Sequence, residues 1–298
     1  MSRQLPVIPG RDPAFLPLAD DRMYWPVQRA WAQVAVREGF QAVVGNPIER
    51  TIFQLWKSGV PGRNIVEHMG LPRRAVERDL NNKLIIHVNP RDLVRIRDWR
   101  QLPKRQRPPI SAFIWSGDWD LRRGDLRYGS RYRFISDLVL NRNDLTQSDA
   151  FYRYKAYIDK GRPWSSHHLG IFLDSEERIL AYLRVYLSFI DDMKRNGFDQ
   201  DRGKDELGVV VSRCGRLIKI NRGLHRLAMA QYLGLPTVPV KVKAVHREWW
   251  QKVTQNTHGA EALERVVEAL QHCQPETESG PLDPEQTPEN FMWPSRKS

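Results

Sequence analysis

The chain of 298 residues carries 47 lysine and arginine residues against 35 acidic ones, a formal net charge of +12, and 41% of it is hydrophobic. This balance is typical of a folded protein and excludes a chain that is disordered throughout. No run approaches the roughly 18 apolar residues of a membrane span, and the N-terminal residues lack the apolar core of a signal peptide. Cys214 and Cys273 provide neither a disulfide framework nor zinc-ligand spacing. We therefore expect a cytoplasmic protein with no membrane partner.

The first part of the chain has a helical pattern. Prolines interrupt residues 1–26, which we expect to form an extended arm. Apolar residues then recur at helical spacing from Val27 to Phe40, and residues 47–80 have the pattern of several short helices. A helical region is therefore predicted over residues 27–83.

From residue 84 onward, predicted strands and helices alternate. The pattern indicates a strand over 84–88, a helix over 175–194 that Ser175 can cap, strands over 209–212 and 217–220, a helix over 225–233 and a strand over 238–244. We expect an α+β fold in which one domain spans 84–250, with a mixed sheet flanked by helices. A surface helix within 251–273 follows.

Charge is distributed unevenly along the chain. Residues 91–133 contain twelve basic and five acidic residues, whereas residues 274–298 contain five acidic residues, two basic ones and five prolines. The C-terminal composition predicts a disordered acidic tail. The basic residues of segment 91–133 either bind a polyanionic partner or form a solvated surface with no partner, and the sequence is consistent with both interpretations.

A helix-turn-helix-like pattern lies in residues 65–80. Its apolar positions suit two short helices joined at Gly70, and the run resembles the motif of bacterial DNA-binding proteins. In that family the second helix enters the major groove of DNA, which implies that Arg73, Arg74 and Arg78 face DNA. The alternative is a small helical subdomain that packs on its neighbour and binds no DNA.

A second pattern, over residues 209–230, is a strand pair that leads through a glycine turn directly into a helix. Backbone N–H groups at the start of a helix, together with the helix dipole, favour anions. His225 and Arg226 add donors and positive charge at this helix start. The pattern suits the phosphate groups of a nucleotide.

Residues 207–247 resemble the ParB/sulfiredoxin superfamily, whose members carry a Gly-x-His-Arg or Gly-Glu-Arg-Arg motif at this strand-to-helix junction. The resemblance extends back to Ile86. Within the superfamily, the chain is similar to a ParB-like group of proteins that carry a Gly-Asp-Trp-Asp element, which corresponds here to residues 117–120. The resemblance implies a ParB/sulfiredoxin-like mixed sheet that binds ATP or CTP with Mg²⁺. The implied nucleotide contacts are Gly223, Leu224, His225, Arg226, Arg213, His246 and Arg247.

Two departures from the superfamily pattern restrict the chemistry that the resemblance implies. Leu224 stands where sulfiredoxins have their reactive cysteine, so repair of a sulfinic acid is not expected. Arg222 stands where the free-serine kinases of the superfamily have an acidic residue.

Asp118 and Asp120 flank Trp119 and, in an extended segment, lie on the same face. We interpret both, together with His225, as candidate catalytic residues, and Asp118 also as a Mg²⁺ ligand. Asp120 has the alternative of capping a turn. His246 either contacts a phosphate or is a structural histidine.

The leading hypothesis is a nucleotide-binding phosphotransferase or nucleotide hydrolase, because such catalysis depends mainly on positioning and charge neutralisation. A nucleotide-switched, DNA-binding regulator is one alternative, and a non-catalytic structural module is the other. The acceptor, the choice between ATP and CTP and the oligomeric state stay open.

Overall fold

The computed structural model describes residues 12–99, 102–202, 206–220, 222–283 and 291–295. The helices in these ranges are α1 (Tyr24–Phe40), α2 (Asn46–Lys57), α3 (Arg63–Met69), α4 (Arg73–Leu80), α5 (Ser130–Leu140), α6 (Asp149–Asp159), α7 (Glu176–Asn196), α8 (Leu224–Leu233), α9 (Arg247–Thr254) and α10 (Gly259–Leu270). The strands are β1 (Ile85–Val88), β2 (Arg95–Arg97), β3 (Ile114–Trp115), β4 (Arg123–Asp125), β5 (Trp164–Ser166), β6 (Ile171–Leu173), β7 (Gly208–Val211), β8 (Leu217–Lys219) and β9 (Val238–His246). The predicted α+β class is confirmed. Across these ranges, no helix combines the length and the apolar character needed to cross a lipid bilayer.

The chain forms two compact units, and each unit is built from two separate stretches of sequence. The helical unit comprises residues 1–40 and 130–204, and the sheet unit comprises residues 41–129 and 205–298. The domain predicted over 84–250 is therefore interrupted by a segment of the other unit. Local periodicity predicts helices and strands, but the packing of their apolar faces decides which unit they join.

An aromatic core holds the helical unit together. The rings of Tyr182 and Tyr186, on one face of α7, both lie 5.8 Å from the ring of Phe15. Phe134 of α5 packs edge-on against Tyr186 at 4.9 Å. Phe15 belongs to a short 3₁₀ helix, Pro13–Leu18. The predicted extended arm is thus wrong over the described residues 12–26, because their apolar side chains join this core, and residues 1–11 lie outside the described ranges.

A mixed seven-stranded sheet forms the centre of the sheet unit. Six strands follow in the order β1-β9-β7-β8-β2-β4, and β3 pairs with the C-terminal part of β9. Strand β9 runs parallel to β7 and β3, whereas β8 runs antiparallel to β7 and parallel to β2. Every residue of β7 and β8 is buried, which is expected for strands covered on both faces.

The reversal between β7 and β8 gives the sheet two distinct ends. The C-terminal ends of β3, β7 and β9 meet at one of them, which we call the Arg213 end after the residue in the β7–β8 turn. The C-terminal ends of β2 and β8 meet at the opposite one, which we call the Gly223 end because β8 continues there into α8. A strand rises about 3.3 Å per residue, so β7 separates the two ends by at least ~10 Å.

The C-terminal residues 274–283 pack against the sheet unit. Pro275 forms a β-bridge with Leu217, and the carboxylate of Glu276 pairs with Arg123 at 2.8 Å in a nearly buried ion pair. The predicted disorder is therefore wrong for this part of the tail. The physical reason is that its carboxylate finds a basic partner inside the fold, while residues 284–290 and 296–298 lie outside the described ranges.

The basic segment 91–133 also has partners within the protein. Arg95 and Arg127 both pair with Asp125, at 3.3 and 2.6 Å respectively. Arg91 donates hydrogen bonds to the carbonyl groups of Gln231 at 2.9 Å and Tyr232 at 3.3 Å, at the end of α8. These three arginines therefore hold the fold together.

We expect Arg123→Met to lower the free energy of unfolding of the sheet unit by about 3 kcal/mol, because it leaves Glu276 buried without its counter-charge. Urea denaturation measures this loss. The control is Arg265→Met, which removes a surface ion pair with Glu261 and should cost less than about 1 kcal/mol. Equal losses in the two variants would contradict the structural role of the C-terminal segment.

Candidate functional site

The structure distributes the predicted site residues over three places. The Arg213 end and the turn beside it hold Asp118, Asp120, Arg213, His246 and Arg247. The Gly223 end holds Gly223, Leu224, His225 and Arg226, and helix α4 holds Arg73, Arg74 and Arg78. A single site that contains all of them is therefore not formed.

Asp120 is the centre of a buried ion-pair network at the Arg213 end. Its side chain is fully buried and accepts hydrogen bonds from the backbone N–H of Arg213 at 2.9 Å and from its Nε and Nη2 at 3.1 and 2.9 Å. Asp118 accepts from the same Nη2 at 2.9 Å, although 68% of its side chain is exposed. The hydrogen bond with Asp120 raises the pKa of the Arg213 guanidinium. Arg213 is thus bound to the protein's own carboxylates and is not directed at a phosphate.

Residues 118–121 form a turn, which the N–H group of Leu121 closes by donating to the Asp118 carbonyl at 3.2 Å. A shared face for the two carboxylates was expected only if this segment were extended, and the structure has a turn here instead. Both carboxylates do face one partner, but it is Arg213. In the ranges that the structure describes, no group of three or more His, Cys, Asp or Glu residues is arranged to hold a metal ion. The burial of Asp120 leaves it no access to a substrate.

His246 is a structural histidine, which was the alternative to a phosphate contact. The residue is 1% exposed, and its Nδ1 accepts a hydrogen bond from the N–H group of Glu248 at 3.1 Å, which caps α9. Because Nδ1 is an acceptor, the Nε2 atom carries the proton and donates it to the Gly117 carbonyl at 2.9 Å. The ring of Trp119 packs 5.6 Å away.

Arg247 binds the end of helix α3 and not a nucleotide. Its Nη1 and Nη2 atoms donate to the carbonyl groups of Glu67 at 3.2 Å and His68 at 2.7 Å. The carboxylate of Glu67, which the sequence analysis missed, accepts from the indole N–H groups of Trp56 and Trp250, both at 3.0 Å. These bonds join the helix-turn-helix-like segment to α9.

The start of helix α4 is covered by the loop that precedes β3. Gly70 takes the predicted positive φ of 106° at the corner between α3 and α4. Pro72 then forms a β-bridge with Ala112, and the N–H group of Arg73 donates to the Ser111 carbonyl at 2.8 Å. A recognition helix reads DNA with its N-terminal residues, so this cover blocks the predicted approach to a major groove.

Two of the three arginines assigned to DNA have partners within the sheet unit. Arg73 pairs with Glu77 at 3.3 Å, and Arg74 donates a hydrogen bond to Gln41 at 2.5 Å. Arg78 alone among these three is exposed. The geometry thus favours the packed helical subdomain over the DNA-binding interpretation of this segment.

The Gly223 end has the strand, turn and helix that the sequence predicts. Strand β8 ends at Lys219, Gly223 adopts the left-handed conformation with φ 65° and ψ 23°, and the ten-residue helix α8 begins at the next residue. Glycine takes this conformation without the strain that a Cβ atom would cause. The N–H groups in the first turn of a helix have no acceptor within the helix, and the helix dipole is positive there. This geometry favours a bound anion.

A buried lysine that the sequence analysis did not single out anchors this turn. Lys219 has no exposed surface, and its ammonium group donates to the carbonyl groups of Gly208 at 3.1 Å, of Ile220 at 2.5 Å and of Arg222. Two carbonyl groups of the turn therefore point inward, toward the lysine. A charged residue in the centre of an apolar strand pair was the signal that could have identified it.

The basic side chains at this end occupy the first turn of α8. His225 and Arg226 are partly exposed, as are Gly223 and Leu224, whereas Leu227 is buried in the next position. The predicted catalytic carboxylates, Asp118 and Asp120, lie at the opposite end of the sheet. The structure does not place them beside a phosphate at His225.

Comparisons of the chain with protein-family models, with curated protein sequences and with solved structures found no match. The functional interpretation therefore depends on the residues themselves. The Arg213 end is a mostly buried ion-pair network, whereas the Gly223 end combines a helix start with partly exposed basic side chains. The Gly223 end is the stronger candidate for a binding site.

Asp120 and Asp118 share Arg213 as a partner but differ in burial, which makes a matched pair of variants. We expect Asp120→Asn to lower the free energy of unfolding by about 2 kcal/mol or more, because Arg213 loses its buried counter-charge. Asp118→Asn should cost less than about 1 kcal/mol, as is usual for an exposed ion pair. Urea denaturation of both variants measures the difference, and a larger loss for Asp118→Asn would refute this account of the network.

Proposed function

We propose that this protein binds a nucleoside triphosphate, ATP or CTP, and that its phosphate groups lie at the N-terminus of α8. The observation that carries the proposal is the direct passage from β8 through the left-handed Gly223 into a ten-residue helix. Such a junction brings backbone N–H groups and the positive end of the helix dipole to the same point.

The charges around this junction support the same ligand. His225 and Arg226 lie in the first turn of α8, and Arg222 precedes the turn with an exposed side chain. Charge-assisted hydrogen bonds to phosphate are about twice as strong as neutral ones. A triphosphate, which carries several negative charges, matches these three residues.

The turn is also held rigidly before any ligand binds. The buried ammonium group of Lys219 binds carbonyl groups on both sides of the turn, so the backbone conformation does not have to be ordered on binding. Preorganisation of this kind increases affinity because less conformational entropy is lost. We assign Lys219 a positioning role.

The resemblance to the ParB/sulfiredoxin superfamily supports a nucleotide as the source of the phosphate. The Gly-x-His-Arg motif of the superfamily corresponds to residues 223–226, and these are the residues at the start of α8. Mg²⁺ binds mainly through water and substrate phosphate oxygens, so it accompanies the nucleotide without a dedicated protein cluster.

Phosphoryl transfer or nucleotide hydrolysis is the reaction class that this site suits best. Such reactions depend on positioning and on neutralising charge at the phosphate, which His225 and Arg226 can provide. Asp118 and Asp120 have no part in the proposal, because they lie at the Arg213 end. We do not propose DNA binding, since Arg73 and Arg74 have partners within the sheet unit.

We expect Arg226→Ala to weaken triphosphate binding about 10- to 100-fold, which corresponds to the loss of one charged contact worth ~1.5–3 kcal/mol. Isothermal titration against the four nucleoside triphosphates with Mg²⁺ measures the affinity. The matched control is Arg216→Ala, which removes the same charge from the exposed β7–β8 turn at the opposite end of the sheet. This control should bind within about twofold of the wild type, as expected for a distant surface charge.

The two variants together locate the site. If Arg216→Ala weakened binding and Arg226→Ala did not, the nucleotide would bind at the Arg213 end. If the unmodified protein bound none of the four nucleotides, the turn would be a structural element, which is the third interpretation of the sequence.

A further inference from the structure

Arg97 holds an unusual position at the C-terminal end of β2. The carbon atom at the centre of its guanidinium group lies 3.1 Å from the ring centroid of Trp99 and 5.1 Å from that of Trp115. The two indole rings lie 5.7 Å apart, so the cation is enclosed by aromatic surface. Stacking on an indole leaves the N–H groups of a guanidinium at the edges of its plane, where they can still donate.

Several donors in this cluster have no acceptor among the residues that the structure describes. The Nε and Nη1 atoms of Arg97 and the Nε1 atom of Trp99 are out of contact with solvent and make no hydrogen bond. An unpaired buried donor is costly, and an unpaired buried charge is more so. Other atoms of both side chains keep part of their surface exposed.

The two arginines nearest to Arg97 in the sheet have counter-charges, whereas the described residues provide none for Arg97. Arg95 lies on the same face of β2 and pairs with Asp125 at 3.3 Å. The residue directly opposite Arg97 on β4 is Arg123, whose charge Glu276 neutralises at 2.8 Å. Arg97 therefore has a like charge as its cross-strand neighbour and aromatic rings in place of a carboxylate.

The electrostatics indicate the kind of group that would complete the cluster. Burial without a counter-charge lowers the pKa of the Arg97 guanidinium, which means that the charged form is destabilised where it lies. A neutral acceptor would satisfy the hydrogen bonds but would leave the charge unbalanced. A bound oxyanion supplies both the negative charge and several acceptor lone pairs.

The register of the sheet relates this cluster to the Gly223 end. Ile96 is the partner of Lys219 in the parallel pair of β2 and β8, so Arg97 follows at the level of Ile220. Gly223 comes only three residues later, within about 10 Å along even a fully extended chain. The aromatic cluster extends toward the other end of the sheet, because Trp115 is the last residue of β3 at the Arg213 end, and Ile220 and Trp99 both contact the core around it.

We infer that Arg97 and Trp99 bind an oxyanion and that this oxyanion is a phosphate group of the bound nucleotide. Only the identity of the ligand rests on the function proposed above, because the unpaired donors are properties of β2 and Trp99. The Arg97 cluster would thus act as a second phosphate contact beside the start of α8.

The test measures polyphosphate affinity and thermal stability in the same variants of the full-length chain. We expect Arg97→Met to weaken the binding of ATP and of inorganic tripolyphosphate about tenfold or more, as for other charged contacts. Its melting temperature should stay the same or rise, because methionine fills similar space without an unpaired buried charge. A purely structural arginine would lower the melting temperature and leave affinity unchanged.

A second substitution of Arg97 and a control variant ensure that the conclusion does not depend on Arg97→Met alone. Arg97→Lys keeps the positive charge but loses the planar stacked group, and it should also weaken binding about tenfold. The matched control is Arg127→Met, which removes an arginine from the same segment while Asp125 keeps Arg95 as its partner. This control should leave tripolyphosphate affinity within about twofold, since its guanidinium is already paired.

The outcomes separate the two proposals. If Arg226→Ala loses nucleotide binding and both Arg97 variants retain it, the proposed function stands and the inference is overturned. If the wild type binds no nucleotide but binds tripolyphosphate in a manner that depends on Arg97, the oxyanion site at Arg97 stands, and its assignment to a nucleotide fails together with the proposed function. If neither ligand binds the wild type, the Arg97 cluster is not an oxyanion site.

Discussion

A charge that leaves water needs a compensating partner, and the sheet unit is organised by this requirement. Asp120 is compensated by Arg213, Glu276 by Arg123, and Lys219 by backbone carbonyl groups. Each ion pair joins segments that are far apart in the sequence, so these charges connect the sheet with the turn before β4 and with the C-terminal segment. Arg97 departs from the rule, since aromatic rings surround it where its neighbours have carboxylates.

Elements with a strong local period were predictable from the sequence. Helix α7 begins after its Ser175 cap, and β7, β8, α8 and β9 lie within one or two residues of the predicted bounds. The partners of charged side chains were not predictable in this way. The basic composition of residues 91–133 is the same whether its arginines face a polyanion or, as for Arg95 and Arg127, a carboxylate of the same fold. Only tertiary packing decides between these outcomes.

The candidate site shows the same limit of local reasoning. Arg213 and Gly223 are ten residues apart in the sequence, and their closeness there suggested one site. Arg213 lies in the turn of the β7–β8 hairpin, and β8 carries the chain from that turn to the opposite end of the sheet, where Gly223 lies. The glycine turn itself was recognisable because Gly223 has a local conformational role, with φ 65°. The charge of Lys219 within an apolar strand pair could mark the residue as unusual, but its role as the anchor of the turn was not predictable, because that role depends on the burial of β8 by other elements.

The division of each unit into two stretches of sequence also affects how the chain reaches its fold during synthesis. Strand β1 ends at Val88, but its only partner within the described sheet, β9, begins at Val238. At 5–20 residues per second, roughly 8–30 s pass between the synthesis of the two strands. For that time the backbone N–H and C=O groups of β1 have no partner strand, and sheets that depend on such distant pairings form slowly. We therefore expect the ribosome-bound intermediate to expose an unpaired strand edge, which favours chaperone binding or aggregation, until β9 has been synthesised.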